Sequence, residues 1–205
     1  MLEVRNLECV RGDHCLFVGL NFTLQAGGLL HLRGSNGSGK TSLLRTICGL
    51  IAPITGEVLW QDENIRSLRE EFNSGLTYIG HQGGIKDDLT ALENLQLYCR
   101  LFGVEVTEDR ILDALQQIGL GGREDLLIKV LSQGQKRRVA LTRLLIHATK
   151  LWVLDEPFNA LDVDAVNLLR DLITKHLENG GLAVLTTHQL IDFQIGSLHE
   201  VNLDS

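Results

Sequence analysis

The sequence predicts an α/β protein with a mostly parallel β-sheet, an antiparallel β-part at the N-terminus, and an α-helical subdomain inserted between the two halves of the sheet. Three observations support this prediction. Short apolar runs alternate with segments of helical spacing, the N-terminal segments alternate apolar and polar residues, and residues 85–148 contain mainly segments of helical spacing. Parallel strands are buried on both faces and form continuous apolar runs, whereas half-exposed strands alternate.

The predicted elements follow one another in an order that fits this architecture. Strands are predicted in segments 2–7, 16–24, 28–32, 56–60, 75–80, 150–157 and 182–188. Helices are predicted in segments 41–50, 89–103, 108–120, 132–148 and 163–180, the first of them ending on Gly49. We therefore expect a single domain over residues 1–205, with a core of about 1–84 and 149–205 and a helical insert of about 85–148.

Composition and charge exclude several classes of function. Of the 205 residues, 44% are hydrophobic and 22% charged, which is typical of a globular protein, and the formal net charge is −7. Because no basic surface dominates, non-specific binding to nucleic acid or to an anionic bilayer is disfavoured. No apolar run reaches the roughly 20 residues that a membrane span needs, and the acidic, alternating first ten residues predict no signal peptide.

The segment GSNGSGKT has the spacing of a phosphate-binding loop, G-x-x-x-x-G-K-[ST]. Its glycines let backbone N–H groups turn toward phosphate oxygens, and the positive end of the following helix favours an anion. Lys40 supplies a cation, and the hydroxyl of Thr41 is a ligand for Mg²⁺. The predicted ATP-binding residues of this loop are Gly34, Ser35, Asn36, Gly37, Ser38, Gly39, Lys40, Thr41 and Ser42.

Acidic residues follow a second apolar run, as a nucleotide site requires. LWVLDEP places Asp155 where it would hold Mg²⁺ and Glu156 where it would polarise an attacking water. His188 comes at the end of another apolar run, LAVLTTH. Because ligands lie at the carboxyl ends of parallel strands, this histidine is placed to contact a γ-phosphate.

The segment VLSQGQKRRVALTRLL begins, by its residue types alone, with Ser132 as an N-cap of an amphipathic helix. It resembles the LSGGQ signature of ATP-binding-cassette (ABC) ATPases, and the phosphate loop, Gln82, Asp155–Glu156 and His188 have the order and spacing of that family's other motifs. The resemblance includes NALD as the D-loop, with Asn159, Ala160, Leu161 and Asp162. It extends over essentially the whole chain.

The resemblance implies a composite site between two copies of the chain. ATP would lie between the phosphate loop of one copy and the signature of the other, which consists of Ser132, Gln133, Gly134 and Gln135. Gln82 would contact Mg²⁺ and the attacking water and couple the site to a membrane subunit, Glu156 would act as the base, and His188 would hold the γ-phosphate. Such a site makes hydrolysis conditional on closure.

Two positions depart from the family pattern. Gln133 replaces a glycine of the signature, which leaves the backbone contact to Gly134. Arg11 stands where the family usually has an aromatic residue that stacks on adenine. A guanidinium also stacks on a base, so Arg11 is included among the predicted ATP-binding residues.

A narrower resemblance is to the ATP-binding subunits of the haem exporters of bacterial cytochrome c maturation. It rests on YIGHQGGIKDDLTALENLQLY, LSQGQKRRVALTRL, LWVLDEPFNALDV and LTTHQ. It implies ATP hydrolysis linked to export of haem or its delivery to a periplasmic chaperone, integral membrane permease subunits as partners, and a peripheral place on the cytoplasmic face of the inner membrane.

No direct haem binding is expected, because there is no C-x-x-C-H motif and the remaining histidines are scattered. Those histidines, more typical of surface or core than of axial ligands, are His14, His31, His81, His147, His176 and His199. Two alternatives stay open: the ATPase subunit of a different small-molecule or lipid exporter, and a non-transport ABC protein acting on ribosomes or in DNA repair. The net negative charge argues against a protein that acts on ribosomes or DNA. Segment 82–95, which must fit the membrane partner, would distinguish a different exporter from the haem exporter.

Overall fold

Two β-sheets organise the chain in the computed structural model, which describes residues 1–12, 14–189, 193 and 197–204 and, among these, leaves the side chains of Arg11 and His14 undescribed. The first sheet is antiparallel, with strand order β2-β1-β4-β5. Its strands are β1 (Leu2–Arg11), β2 (His14–Leu24), β4 (Thr55–Trp60) and β5 (Glu63–Asn64). The predicted antiparallel N-terminal part is therefore confirmed.

The second sheet is parallel throughout its five described strands, in the order β6-β7-β8-β3-β9. These strands are β3 (Leu29–Arg33), β6 (Leu76–Ile79), β7 (Leu151–Asp155), β8 (Leu182–Thr186) and β9 (Leu198–Asn202). Every residue of β7 and β8 is buried. Because all five strands run in one direction, the loops after β3, β6, β7 and β8 leave from the same edge of the sheet.

Successive residues of the buried strands pack into two separate cores. Leu151 and Val153 of β7 face a core shared with the helix Lys40–Ile47 (α1) and the antiparallel sheet. Trp152 and Leu154 face a core shared with the inserted helices and the helix Val163–Glu178 (α8). This alternation follows from the two-residue repeat of a strand, which sends neighbouring side chains to opposite faces. A parallel sheet covered on both faces is thus the scaffold that fixes the loops at its edge.

The helices flank this sheet. They are α1 (Lys40–Ile47), α2 (Ile65–Leu68), α3 (Glu70–Ser74), α4 (Ala91–Phe102), α5 (Glu108–Gln117), α6 (Gln133–Leu141), α7 (Arg143–Ile146) and α8 (Val163–Glu178), with a short 3₁₀ turn at Ile128–Val130. None of the described helices combines the length and apolar character that a membrane crossing requires. The helices α4 to α7 come between β6 and β7, within the predicted insert, whose exact limits stay a prediction.

Four short or polar elements are absent from the sequence prediction: α2, α3, β5 and β9. The strand β9 has the sequence LHEVN and is mostly exposed, because it lies at the edge of the parallel sheet beside β3. Apolar periodicity cannot detect such a strand. Its position matters, since it brings the residues after Asn202 beside the phosphate loop.

A ring pair between the buried Trp152 and the half-buried His176 connects α8 to the parallel sheet. The imidazole of His176 stacks on the indole of Trp152, with ring centroids 3.8 Å apart and planes 3° from parallel. The Nε2 atom of His176 lies 3.2 Å from the carbonyl oxygen of Leu182. Burial lowers the pKa of His176 below its ordinary value, with the nearby Lys150 charge acting in the same direction.

This burial predicts a pH-dependent stability. His176 takes up a proton near pH 6.5 in the unfolded chain but only at lower pH in the folded protein, so its contribution is full above that pH and is lost as the pH falls below it. We expect the fall in Tm between pH 7.5 and pH 5.5 to be smaller in His176→Phe, which keeps a stacked ring, than in the wild type. The exposed-site control His199→Gln should match the wild type, and an equal fall in all three proteins would contradict this account.

Candidate nucleotide-binding site

The loop between β3 and α1 has the conformation of a phosphate cradle. Gly34 and Gly39 have φ angles of 146° and 102°, which residues with a side chain rarely adopt. Gly39 is the N-cap residue of α1. The hydroxyl of Ser38 is buried in this loop and has no hydrogen-bond partner among the described residues. An unpaired buried hydroxyl beside a helix N-terminus fits a phosphate oxygen as its partner.

The ammonium group of Lys40 lies across the mouth of the loop. Its Nζ donates to the carbonyl oxygens of Gly34 at 2.7 Å and Ser35 at 3.0 Å. The loop thus carries its cation at the place where phosphates would enter. Both hydrogen bonds are to neutral carbonyls, so a phosphate anion would be the stronger partner.

Asp155 ties three elements together at the edge of the parallel sheet. Its carboxylate accepts from the Thr41 hydroxyl of α1 at 2.8 Å and from the Thr186 hydroxyl of β8 at 2.9 Å. The Thr186 oxygen in turn accepts from the backbone N–H of Glu156 at 2.9 Å. A hydroxyl and a carboxylate are the hard oxygen ligands that Mg²⁺ prefers, so Thr41 and Asp155 fit that ion.

Glu156 occupies an unusual position directly after β7. Its φ angle is 50°, a left-handed conformation that costs a residue with a side chain about 1–3 kcal/mol. Both carboxylate oxygens are buried without a hydrogen-bond partner among the described residues. The Nε2 atom of His188 lies 3.4 Å from Glu156 Oε1. Strain and a carboxylate that lacks hydrogen-bond partners are together typical of a group that binds a ligand.

A cleft of about 480 Å³ collects most of the predicted hydrolytic residues. It is lined by Leu16, Asn36, Gly37, Gly39, Lys40, Thr41, Ser42, His81, Asp155, Glu156, Asn159 and His188. Residues predicted to bind phosphate, to hold the metal and to polarise water therefore line one cleft, and their roles stay predictions. The cleft joins the ends of β3, β7 and β8 with the loop after β6.

Other predicted residues lie outside this cleft. Gln82 is exposed and lines a neighbouring cleft of about 600 Å³, which shares His81, Glu156 and Asn159 with the first. The signature residues Ser132 and Gly134 line a third cleft, of about 570 Å³, together with Asp162. Arg11 belongs to β1, but its side chain lies outside the described residues, so its role stays a prediction.

The signature segment has its own structural requirements. Ser132 is the N-cap of α6, as predicted: its hydroxyl accepts from Gln135 N at 3.2 Å, and its N–H donates to the Gln135 side chain at 2.9 Å. A Cβ at Gly134 would lie 2.5 Å from the carbonyl oxygen of Ala160. Close packing against the D-loop therefore requires glycine here, in addition to the phosphate contact expected from the resemblance.

Two residues near the site were not among the predicted site residues. His81 is exposed, in agreement with the surface position expected for it, and it lines both neighbouring clefts. Its position next to Gln82 is the signal in the sequence that could have indicated this. Asp204 accepts from Ser35 N at 2.8 Å and from Ser35 Oγ at 2.8 Å, and these hydrogen bonds lower the pKa of its carboxyl. No signal could reveal Asp204, because β9 was not predicted.

The fold and this site together define an ATP-binding cassette, and comparison with known proteins agrees. The family model described as ABC transporter matches residues 17–159. The chain therefore belongs to the ABC transporter family, as an ATP-binding, ATP-hydrolysing cassette.

Curated relatives extend over nearly the full chain. The cytochrome c biogenesis ATP-binding export protein CcmA of Nitrosospira multiformis is 54% identical over 202 residues, 98% of each chain. The protein of that name from Escherichia coli K12 is 47% identical over 203 residues, covering 99% of this chain and 96% of the relative. The narrower resemblance noted from the sequence is thus confirmed.

Solved structures with similar folds include other cassettes. An ABC transporter ATP-binding protein of Pyrococcus furiosus has a TM-score of 0.82 at 26% identity and covers 99% of this chain and 97% of its own. A dimeric, post-hydrolysis ATP-binding cassette bound to ADP and Pi has a TM-score of 0.79 at 25% identity, covering 93% of this chain and 89% of its own. The predicted fold class is therefore confirmed.

Lys40→Ala should reduce ATP hydrolysis by at least about 100-fold, because the β- and γ-phosphates lose the cation that stabilises their charge during transfer. The measurement is phosphate release at saturating ATP. Lys129→Ala is the matched control, since Lys129 is exposed and forms only a 3.7 Å surface ion pair with Asp88. Wild-type turnover in Lys40→Ala would rule out this loop as the nucleotide site.

Proposed function

We propose that this chain is the ATP-hydrolysing subunit of an exporter that serves cytochrome c maturation, coupling ATP hydrolysis to the export of haem or its delivery to a periplasmic chaperone. The observation that carries the proposal is the 47–54% identity to cytochrome c biogenesis ATP-binding export proteins over at least 98% of the chain. Those relatives match the core and the inserted helices alike.

The residues of the 480 Å³ cleft have different roles in hydrolysis. Lys40 binds the β- and γ-phosphates, and Glu156 orients the attacking water and accepts its proton. His188, 3.4 Å from Glu156, holds the γ-phosphate. Thr41 and Asp155 would hold Mg²⁺, with Gln82 approaching from the neighbouring cleft, and the ion supplies charge neutralisation of the phosphates when bound. The buried carboxylate of Glu156, which has no hydrogen-bond partner among the described residues, supports this assignment.

A second copy of the chain completes the site. The signature residues Ser132, Gln133, Gly134 and Gln135 line the 570 Å³ cleft, and Gln133 also lines the 600 Å³ cleft. None of the four lines the 480 Å³ cleft of the phosphate loop in their own copy. We propose that each signature, together with the D-loop, closes on the nucleotide held by the other copy. Closure makes hydrolysis conditional on pairing. The dimeric assembly of a similar cassette supports this arrangement.

The partners in the membrane would be integral permease subunits, and the chain would lie peripherally on the cytoplasmic face of the inner membrane. The segment from Gln82 to Leu95, which begins in the 600 Å³ cleft, is the proposed contact to those subunits. Haem handling would belong to these partners.

Glu156→Gln should bind ATP, hydrolyse it at least about 100-fold more slowly, and accumulate as an ATP-bound dimer, because the base is lost while the nucleotide contacts remain. Size exclusion with light scattering, with and without ATP, is the measurement. Adding Ser132→Arg should abolish the dimer while leaving the ATP affinity of the monomer within about twofold, because the signature binds only the partner's nucleotide. A monomeric Glu156→Gln protein in saturating ATP would refute the composite site.

Pull-down of the Glu156→Gln protein from detergent-solubilised membranes of the native cell tests the transport role. We expect a multi-span permease together with haem-handling or cytochrome-maturation proteins, identified by mass spectrometry. The control is the Glu156→Gln/Ser132→Arg protein, which should recover less permease if closure stabilises the complex. Recovery of an unrelated permease would overturn the maturation role, and recovery of ribosomes would overturn the transport role.

A further inference from the structure

Arg137 is a buried cation that the hydrolytic mechanism above does not use. It lies on α6, five residues after Ser132, with 8% of its surface exposed. Its guanidinium donates to the carbonyl oxygens of Gly80 at 2.9 Å (Nη1), Asp155 at 2.7 Å (Nη2) and Pro157 at 3.3 Å (Nε). A single side chain of the signature helix thus contacts backbone after β6 and on both sides of Glu156.

The placement of these carbonyls is specific. Asp155 and Pro157 flank Glu156, the residue whose φ angle of 50° is rarely adopted by a side-chain-bearing residue. Such a conformation persists only where its surroundings hold it. Gly80 immediately precedes His81 and Gln82, which line the cleft beside Glu156. The same guanidinium therefore fixes the backbone from which the base and the residues facing it extend.

A stability role alone explains this residue poorly. Among the described residues, Arg137 forms no ion pair with a carboxylate, and its burial lowers its pKa. The charges of Asp155 and Glu156 partly offset that cost. Buried charges of this kind generally contribute little net stability compared with apolar residues of similar size. The planar, three-way donor geometry matches the arrangement of the carbonyls, which lysine or methionine cannot reproduce.

We propose that Arg137 is a positioning residue for hydrolysis: it clamps the left-handed turn that carries Glu156 and connects this turn to the signature helix and to the loop of His81 and Gln82. The inference rests on the proposed role of Glu156 as the base. Movement of α6 when the signature engages a second copy would act directly on this turn, because the clamp is a set of direct hydrogen bonds. The clamp thereby links pairing of the two copies to the position of the base.

The experiment compares Arg137→Met and Arg137→Lys with Arg143→Met. Arg143 is the matched control: it is also 8% exposed, follows α6 closely, donates to the Gly84 carbonyl at 2.7 Å and packs on the Tyr98 ring, but it does not bond to the turn of Glu156. Thermal unfolding, ATP affinity, kcat at saturating Mg-ATP and hydrogen exchange are measured for each protein. Assays are run well below the lowest Tm of the set.

We expect Arg137→Met to lower kcat by roughly 10- to 100-fold, as misplacement of a reacting group by about 1 Å does, with ATP affinity within about twofold of the wild type. Arg137→Lys should recover part of kcat, because an ammonium still donates to one or two carbonyls. Arg143→Met should show a similar loss of Tm but keep kcat within about twofold. Exchange should rise at the amides of Glu156 and Asn159, which bond to Thr186 Oγ1 and Glu156 O, only in the Arg137 variants.

Three results would overturn the inference: equal kcat in Arg137→Met and Arg143→Met, an equal loss of kcat and ATP affinity, or unchanged exchange at Glu156 and Asn159. If Arg137→Met does not fold, Arg137→Lys is judged by these criteria. Failure of the proposed function looks different. If Glu156→Gln retains hydrolysis, the role of Glu156 as the base is refuted, and if it stays monomeric in ATP, the composite site is refuted. In either case the exchange comparison still decides whether Arg137 clamps the turn.

Discussion

The site depends on the two hydrogen bonds that the carboxylate of Asp155 accepts. Asp155 is 3% exposed and binds hydroxyls from α1 and β8 at once, so it fixes the phosphate loop, β7 and β8 relative to one another. A buried carboxylate without partners would cost several kcal/mol. Two charge-assisted hydrogen bonds from Thr41 and Thr186 offset that cost, and they leave the group on the cleft wall. The parallel sheet makes this possible, since only adjacent parallel strands bring these ends together.

The residues next to Asp155 are held by hydrogen bonds, whereas residues farther from it are more exposed. The backbone N–H of Glu156 donates to the Thr186 hydroxyl, and Arg137 donates to the carbonyls of Asp155 and Pro157 on either side. The carboxylate oxygens of Glu156 have no hydrogen-bond partner among the described residues. His188 is more than half exposed, and the signature lies in another cleft. The backbone of Asp155 and Glu156 is therefore fixed by hydrogen bonds within the chain. His188 and the signature, which are expected to contact the γ-phosphate, lie at exposed positions or in another cleft. Preorganisation of the backbone of Asp155 and Glu156 avoids its reorganisation during reaction.

The sequence predicted much of the fold because its central strands are continuous apolar runs and its motifs have fixed spacing. The phosphate loop, Asp155, Glu156 and His188 were found for that reason, and they share one cleft. The edge strand β9, the bonds of Arg137 and the partners of Ser35 could not be found, because they depend on contacts between residues distant in sequence. Gln82 shows the same limit: its motif identifies it, but only the fold shows that it lines the neighbouring cleft.

The contacts of Lys40 and Ser35 also bear on how the loop receives a nucleotide. Lys40 bonds to two loop carbonyls, and Asp204 bonds to the N–H and hydroxyl of Ser35. These contacts connect the loop to its own backbone and to the segment after β9. Lys40 must exchange carbonyls for phosphate oxygens, which is favourable because the new partner is charged. Ser35 is also a predicted ATP-binding residue, so a phosphate that contacts it would compete with the Asp204 carboxylate for its N–H and hydroxyl.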